Sequence, residues 1–398
     1  MVTKLKVYEI GTGYTPIPAL MGAATEIVVE ELVKAFQDRN VEVKLLDIRT
    51  DKRKENNLPI IEVPVPKCFS GTDVKLGLKH KFKRVIYSVA LANELRKILM
   101  NANDQVILHF HNQYNLFFFL KLVSTRLRSK AKIAYTVHSY IWHGNWDEIS
   151  EVVRKRYFQE VYGMQHADCV FVLNQKTYDN IAAYVNVDSD KLTIINNGVN
   201  THVYRPMSGE NKKTLLEKYG LTGKRVFIQV GSVCERKGQL EALRLLLPLL
   251  REDKQIAFCY AGGIISREYF EDINLFAQQN GVDKQVYYWG ELEPGGKLNE
   301  FYNLADAMVF PSRAEGFSLV ILEAMAAGVP VLINEQLQFP LADKCLRYLD
   351  DMDFYELVRG EILNEITRQE LSKTVRQEVE LAYSWGGVAK SYLQTFED

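Results

Sequence analysis

The chain lacks the features that would mark it as a membrane-spanning or extracellular protein. No run of about 18 or more uncharged apolar residues occurs, and the first residues do not form a signal-peptide pattern. The five cysteines are scattered without a Cys-x-x-Cys pair, which argues against a disulfide framework and against a structural zinc site. We therefore expect a cytoplasmic protein.

An excess of charge of one sign is also missing, because 49 basic residues are balanced by 50 acidic ones, leaving a net charge of −1. This balance gives no reason to expect nucleic acid as a partner. Internal repeats and low-complexity tracts are absent as well. The length of 398 residues, with average apolar and charged fractions, predicts two domains that each bury their own core.

The first segments of the chain predict an α/β domain. Lys4–Gly13 alternates apolar and polar residues like a strand, an amphipathic helix follows, and Val41–Ile48 is a second strand. This β-loop-α-β unit is typical of a doubly wound domain with a parallel sheet. Gly11 and Gly13 suggest a dinucleotide-binding loop, but Pro16 replaces the third glycine of that motif, so we do not favour a dehydrogenase.

Histidines occupy the ends of two predicted buried strands in this half. His109 and His111 share one face of their strand, since side chains alternate. No third ligand is spaced to join them, so packing or cleft lining is favoured over a metal site. His138 ends the strand Lys132–His138, where strands of an open sheet meet ligands. The alternative is a histidine that is satisfied locally.

A basic, glycine-bounded loop opens the second half. It runs from Gly231 to Gly238, after the predicted strand Arg225–Val230 and before an amphipathic helix. Backbone amides, together with Arg236 and Lys237, can converge there on an anion such as a diphosphate. An ordinary surface loop is the alternative.

The segment Val309–Ile333, VFPSRAEGFSLVILEAMAAGVPVLI, predicts strand, loop, helix, turn and strand. Ser318 is suited to the N-cap of a helix that runs to about Ala327. Amides at the start of such a helix favour an anion, and here they belong to Phe317, Ser318 and Leu319.

Two acids lie on this segment, Glu315 in the loop and Glu323 in the helix. Glu323 is surrounded by apolar residues, and a buried acid is costly unless it holds a partner. The two acids can hydrogen-bond hydroxyl groups on either side of a bound phosphate. A surface acid and a capped helix whose Glu323 pairs with a basic neighbour remain the alternative.

The spacing of these two glutamates within EGFSLVILEAMAAGVPV resembles the signature of glycosyltransferase family 4. Members of that family are retaining, nucleotide-sugar-dependent enzymes of the GT-B fold. The sequence TVHS at 136–139 and the loop 231–238 are similar to further motifs of the family. The resemblance implies an α/β protein with two Rossmann-like doubly wound domains that face each other across a cleft.

The resemblance also implies that the two domains bind different substrates. Residues 1–203 would bind the acceptor, residues 204–380 the nucleotide sugar, and residues 381–398 would form a helix that crosses back to the first domain. Glu315 and His138 would contact the transferred sugar, and Glu323 would hold the ribose. Lys237 and Arg236 would be catalytic together with Glu315 and His138, by stabilising the diphosphate. The remaining donor-binding residues implied are Gly22, Gly231, Ser232, Glu291, Leu292, Phe317, Ser318 and Leu319.

The chain departs from the family pattern at Ser232, where the family most often has arginine after the glycine. Either Arg236 supplies the missing cation, or Ser232 leaves the charge of the leaving group less compensated. Removing one strong donor typically costs about 100-fold in rate, so the substitution matters. The glycine-rich segment that usually follows the signature also has no clear counterpart.

The function implied is transfer of a sugar, with retention, from a nucleotide sugar to an acceptor hydroxyl in surface glycan or glycolipid biosynthesis. UDP is the preferred nucleotide, and the acceptor is a glycan, a lipid-linked molecule or a small molecule. No cofactor or metal is expected, since cationic side chains and helix N-termini neutralise the diphosphate.

The basic cluster Lys75–Arg84 indicates either peripheral contact with the inner face of a membrane or a solvated helix face. Two other functions remain open. One is a non-catalytic nucleotide-sugar-binding or regulatory subunit, and the other is a GT-B epimerase or phosphorylase.

Overall fold

Strands and helices alternate along the chain in the computed structural model, which describes residues 5–19, 23–70, 78–143, 146–313 and 315–397. Contacts between them divide the chain into two units. One comprises Met1–Asn197 and Trp385–Asp398, and the other comprises Gly198–Ser384. The boundaries expected from the sequence, at 203/204 and 380/381, lie a few residues away. Each unit has its own parallel sheet and its own core.

The first unit contains a seven-stranded parallel sheet of order β3-β2-β1-β4-β5-β6-β7. Its central strands are buried almost throughout because helices cover both faces of the sheet. The strands are β1 Lys6–Ile10, β2 Glu42–Ile48, β3 Ile60–Val63, β4 Val106–Phe110, β5 Ala131–Thr136, β6 Cys169–Val172 and β7 Leu192–Ile194. The helices are α1 Ala24–Asp38, α2 Leu78–Asn101, α3 Gln113–Leu122, α4 Thr125–Arg128, α5 Glu151–Arg156, α6 Phe158–His166 and α7 Gln175–Tyr184.

The second unit contains a six-stranded parallel sheet of order β10-β9-β8-β11-β12-β13. Its strands are β8 Arg225–Val230, β9 Ile256–Ala261, β10 Val286–Tyr288, β11 Ala307–Phe310, β12 Val331–Asn334 and β13 Leu346–Tyr348. The helices are α8 Gly209–Lys218, α9 Gln239–Glu252, α10 Arg267–Gln279, α11 Gly296–Leu304, α12 Leu319–Ala326, α13 Asp351–Leu357 and α14 Glu365–Ala382.

The core of the second unit lies on both faces of its sheet. Met308 and Phe310 of β11 pack into one apolar cluster, whereas Ala307 and Val309 of the same strand pack into another. This division follows from the alternation of side chains along a strand. A sheet buried on both faces needs helices on both sides, which the βαβ connections supply.

The last helix, α15 (Trp385–Glu397), belongs to the first unit and packs against α1. Arg39 donates from Nη2 to the carbonyl of Gly386 at 2.6 Å, and the rings of Phe36 and Phe396 lie 6.4 Å apart. Among the described helices, none combines the length, hydropathy and low charge that a membrane crossing requires.

Gly262, directly after β9, occupies a position that only glycine fits. Its φ is +147°, and a Cβ built on it would lie 2.0 Å from the carbonyl oxygen of Gly231. The loops that follow β8 and β9 are therefore in backbone contact at the carboxyl edge of the sheet.

We expect Gly262→Ala to lower the free energy of unfolding by about 3 kcal/mol, because both the backbone conformation and the close approach oppose a side chain. Gly281→Ala is the matched control, since Gly281 also has positive φ (+68°) but no atom within 4 Å of its Cβ position. The control should lose only about 1 kcal/mol. Urea unfolding measures both, and equal losses would contradict the role of the contact.

Candidate functional site

The loop after β8 is held in place by two buried glutamines. Gln229 donates from Nε2 to the carbonyl of Lys237 at 2.6 Å. Gln239 donates to the carbonyls of Gly231 and Ser232 at 3.3 and 3.1 Å. Neither glutamine was predicted from the sequence, although a glutamine within the apolar strand RVFIQV is a signal that could have been used. Their hydrogen bonds fix the course of the loop 231–238.

Two cationic side chains of this loop converge on Glu315. Lys237 Nζ lies 2.6 Å from Oε1 of Glu315, and Nη1 of Arg236 lies 3.2 Å from the same oxygen. Ser312 donates its hydroxyl to that oxygen at 2.6 Å. We call Arg236, Lys237 and Glu315 the charged cluster. Two cations oppose one carboxylate, so the cluster carries a net positive charge.

The position of Lys237 is set by packing as well as by charge. Its methylene groups pass Gly231 so closely that a Cβ there would meet them at 3.5 Å, and Nζ lies 5.2 Å from the ring centre of Phe310. Only 13% of the side chain is exposed, compared with 47% for Arg236. Lys237 is therefore the more buried of the two cations.

The loops after β8 and β11 are joined at the same edge of the sheet. The amide of Arg313 donates to the carbonyl of Arg236 at 3.1 Å. Strands β8 and β11 are neighbours, and both run parallel. Ligands of open α/β sheets bind beyond the carboxyl ends of the strands, which is where these loops lie.

Helix α12 begins beside the charged cluster. Ser318 occupies the N-cap position, as predicted, although its side chain makes no capping hydrogen bond. The amides of Ile321 and Leu322 turn back to the carbonyl of Ser318 at 3.2 and 3.4 Å. The amides of Phe317 and Leu319, like that of Ser318, precede the first intrahelical bonds and remain available to an anion.

Glu323 is buried within the second unit, at 5% exposure, where tyrosine hydroxyls contact it. Tyr302 donates to its Oε2 at 2.8 Å, and Tyr204 also hydrogen-bonds the carboxyl group. Burial raises the pKa of Glu323 to about 7, and the two tyrosines oppose that rise. The partners of this acid are therefore tyrosines, which the sequence analysis did not identify. A basic neighbour, the alternative considered there, is not what holds it.

The residues expected near the base lie after β10. Glu291 reaches the glycines that follow β9, since a Cβ on Gly263 would lie 3.2 Å from its Oε2. Leu292 packs, partly buried, against the same core cluster as Phe317. Both side chains lie at the carboxyl edge of the second sheet, on the loop next to the one that carries Gly262.

His138 lies in the first unit, directly beyond the end of β5, and is partly exposed. Its Nε2 is 3.0 Å from Nδ1 of His111, and burial together with His111 lowers the pKa of His138 well below its usual value. His111 and His109 each hydrogen-bond Glu9 at 2.8 Å. Glu9 was not predicted from the sequence. The last residue expected in this half, Gly22, lies outside the described residues.

The described part of the basic cluster forms the start of α2. Lys83 donates from Nζ to the carbonyl of Tyr14 at 2.8 Å, and the guanidinium of Arg84 lies 4.8 and 5.1 Å from the ring centres of Tyr14 and Tyr114. These two cations are turned into the protein, so the cluster is not a uniformly solvated face. Residues 75–77 lie outside the described residues. Phe82, with 62% of its surface exposed, remains at the surface.

The pKa of Glu323 predicts that stability depends on pH. Between pH 4.5 and about 7, the carboxyl group of Glu323 is protonated in the folded protein but ionised in the unfolded chain. The free energy of unfolding therefore falls as pH rises through this window, by about 3 kcal/mol for a difference of this size. Glu323→Gln cannot ionise, so we expect its unfolding free energy to fall less over the same window. Urea unfolding at several pH values tests this, and parallel curves for the two proteins would contradict it.

Comparison with known proteins agrees with this architecture. The family model described as Glycosyltransferase Family 4 matches residues 25–203, and the model described as Glycosyl transferases group 1 matches residues 211–340. A glycosyltransferase of Methanocaldococcus jannaschii is 30% identical over 42% of this chain and 42% of its own length. The alpha-maltose-1-phosphate synthase of Mycolicibacterium smegmatis is 24% identical over 58% of this chain and 64% of its own length. The chain thus spans less than two thirds of either relative.

Solved structures show the same fold along the whole chain. Sucrose-phosphate synthase from Thermosynechococcus elongatus has a TM-score of 0.76 at 18% identity, covering 99% of this chain and 98% of that one. HepE from Anabaena, in complex with UDP and glucose, has a TM-score of 0.72 at 12% identity and covers 99% of both chains. With the two parallel sheets and the two family models, these likenesses show that the chain has the two-domain α/β GT-B fold and belongs to the glycosyltransferases of the family 4 type.

Proposed function

We propose that the protein is a retaining hexosyltransferase, which moves a sugar from a nucleotide-sugar donor to an acceptor hydroxyl. The observation that carries the proposal is the charged cluster at the carboxyl edge of the second sheet. Lys237 and Arg236 both lie within 3.2 Å of Oε1 of Glu315, beside the first amides of α12. This arrangement suits a diphosphate whose negative charge grows as it leaves.

In the proposed reaction, the bond between the anomeric carbon and the diphosphate oxygen breaks. The acceptor oxygen bonds to the same face of that carbon, and the acceptor proton passes to the departing phosphate. Lys237 and Arg236 stabilise the leaving diphosphate together with the amides of Phe317–Leu319, so the proposal includes no metal ion. Glu315 and His138 contact the transferred sugar.

Glu323 is proposed to accept hydrogen bonds from the ribose. Its carboxyl group already accepts hydrogen bonds from tyrosine hydroxyls, which supports the proposal because ribose hydroxyls are donors of the same kind. Ribose hydroxyls that replace or join them would favour the ionised form. Glu291 and Leu292 would then lie against the base, and Gly231 and Ser232 would approach the diphosphate through their backbone.

UDP is the preferred nucleotide of the proposal. HepE was solved with UDP-glucose, whereas starch synthase IV from Arabidopsis thaliana was solved with ADP, so proteins of this fold differ in the base they bind. Relatives include a serotype-specific mannosyltransferase of Escherichia coli and an alpha-galactosylglucosyldiacylglycerol synthase of Streptococcus pneumoniae. These names support a surface glycan or a glycolipid as the product. Contact of the basic cluster Lys75–Arg84 with the inner face of a membrane is part of the same proposal.

The first test is release of nucleotide from a panel of UDP-, GDP- and ADP-sugars, with chelator and with or without a broad acceptor mixture. We expect slow hydrolysis of one donor, reduced about 100-fold or more in Lys237→Ala and Glu315→Ala. Lys373→Ala, an exposed lysine on α14, is the control and should match the wild type. Binding without turnover in every mixture would contradict an enzyme and would favour the non-catalytic subunit.

A second test asks whether Arg236 replaces the arginine that the family usually has at Ser232. We expect Arg236→Ala to reduce transfer about 100-fold, because one donor to the leaving group is lost. Adding Ser232→Arg to that variant should restore at least about tenfold, since the new guanidinium comes from the position used by relatives. Full activity of Arg236→Ala alone would contradict the replacement.

A further inference from the structure

A buried hydrogen-bonded network in the first unit ends at His138. Glu9 accepts from His109 Nδ1 through one oxygen and from His111 Nε2 through the other, both at 2.8 Å. His111 contacts His138 through Nδ1 at 3.0 Å. Glu9 and His111 are at most 3% exposed, whereas His138 is partly exposed. The network therefore leads from a buried carboxylate to a histidine that a ligand can reach.

The carboxyl group of Glu9 is ionised. Burial opposes the charge, but His109 and then His111 outweigh it and lower the pKa of Glu9 to about 2. A carboxylate can only accept hydrogen bonds, so the nitrogens that face it must carry protons. His111 is therefore protonated at Nε2, the nitrogen that faces Glu9.

His111 carries no second proton. Burial, followed by the influence of His109, lowers its pKa to about 4. Since its proton is on Nε2, its Nδ1 has only a lone pair to offer His138. His138 must then donate from Nε2, and its own Nδ1 is left with a lone pair. Within the described part of the chain, His111 is the hydrogen-bond partner of the His138 ring.

We propose that Glu9 is a positioning residue that acts through His111 to fix His138 as a hydrogen-bond acceptor at Nδ1. The inference rests on the proposed function, in which His138 contacts the transferred sugar. It also restricts the chemistry of the ligand, because a lone pair at Nδ1 accepts a hydrogen bond from a hydroxyl group. A carboxylate or phosphate substituent has only acceptors at neutral pH and is disfavoured at this position.

Glu9, His109 and His111 are also residue types that bind metals, and one ligand atom from each lies within 4.8 Å of the others. Their direct contacts of 2.8 Å have the length of hydrogen bonds. A metal-bound form would place protons differently, since histidine binds metals through a nitrogen without a proton. The state of the His138 ring therefore distinguishes the two arrangements.

A second branch of the network, which leads from Glu9 through His109, provides an internal control. His109 Nε2 lies 2.8 Å from Oγ1 of Thr136, which lies 3.2 Å from the hydroxyl of Tyr392. Tyr392 is 1% exposed, so Tyr392→Phe alters a buried member of the same network without changing the hydrogen bonds of His111. If a substitution in the network acted only by disturbing its packing, Glu9→Met and Tyr392→Phe should have similar effects.

The test is nitrogen-15 NMR of the histidine rings in the full chain, since protonated and unprotonated ring nitrogens resonate far apart. The His138 signals are assigned by their loss in His138→Gln. In the wild type we expect a proton on Nε2 and none on Nδ1. In Glu9→Met both acceptor oxygens are gone, and the two His138 signals should move towards intermediate values as the two tautomers mix. Tyr392→Phe should leave them unchanged.

Transfer activity provides the second readout. We expect Glu9→Met to lower it about tenfold, the size of one lost hydrogen bond, and Tyr392→Phe to retain it. If Glu9→Met does not fold, His111→Phe replaces it, because it keeps an aromatic ring and removes the acceptor. A wild-type His138 protonated at Nδ1, unchanged signals in Glu9→Met, or equal losses in both variants would overturn the proposal. The wild-type spectrum requires no turnover, so it can fail or succeed independently of the proposed function.

Discussion

The convergence of Lys237 and Arg236 on one oxygen of Glu315 is the interaction on which the second unit's site depends. Like charges in adjacent positions would otherwise repel, and the shared carboxylate lets both lie at the same edge of the sheet. Their placement requires the backbone of the loop 231–238 to be fixed, which Gln229 and Gln239 do from the buried side. The same loop is in backbone contact with the loop after β9, which Gly262 permits.

The hydrogen-bonding partners of the two buried acids Glu9 and Glu323 determine whether each carboxyl group is ionised. Glu9 lies between two histidines and keeps its charge, with a pKa of about 2. Glu323 lies among tyrosines, which donate hydrogen bonds but bring no positive charge, and its pKa is about 7. Burial disfavours the charged form in both cases. The first acid is thus suited to hold neighbouring side chains in one protonation state, and the second is suited to change state when a ligand supplies hydroxyl donors.

The sequence predicted the fold well because its signals are local. The β-loop-α-β unit at the start of the chain indicated a doubly wound domain with a parallel sheet, and the resemblance around Glu315 and Glu323 indicated the family. The partners of the site residues were not predictable in the same way. Glu9 is 102 positions from His111, and Tyr302 is 21 positions before Glu323, so no spacing rule joins them. The missing side-chain cap at Ser318 has a similar cause, since the cap position can be read from sequence but the direction of the hydroxyl depends on its surroundings.

The most direct measurement of the central claim is the affinity for a nucleoside diphosphate compared with the nucleoside that has the same base. The comparison uses whichever of UDP, GDP and ADP binds the wild type most tightly, and it is repeated for Lys237→Met. If the charged cluster binds the diphosphate, the wild type should favour the diphosphate by about 100-fold or more, and the variant should lose at least about tenfold of that preference. An equal preference in both proteins would contradict the account, because the diphosphate would then be bound elsewhere.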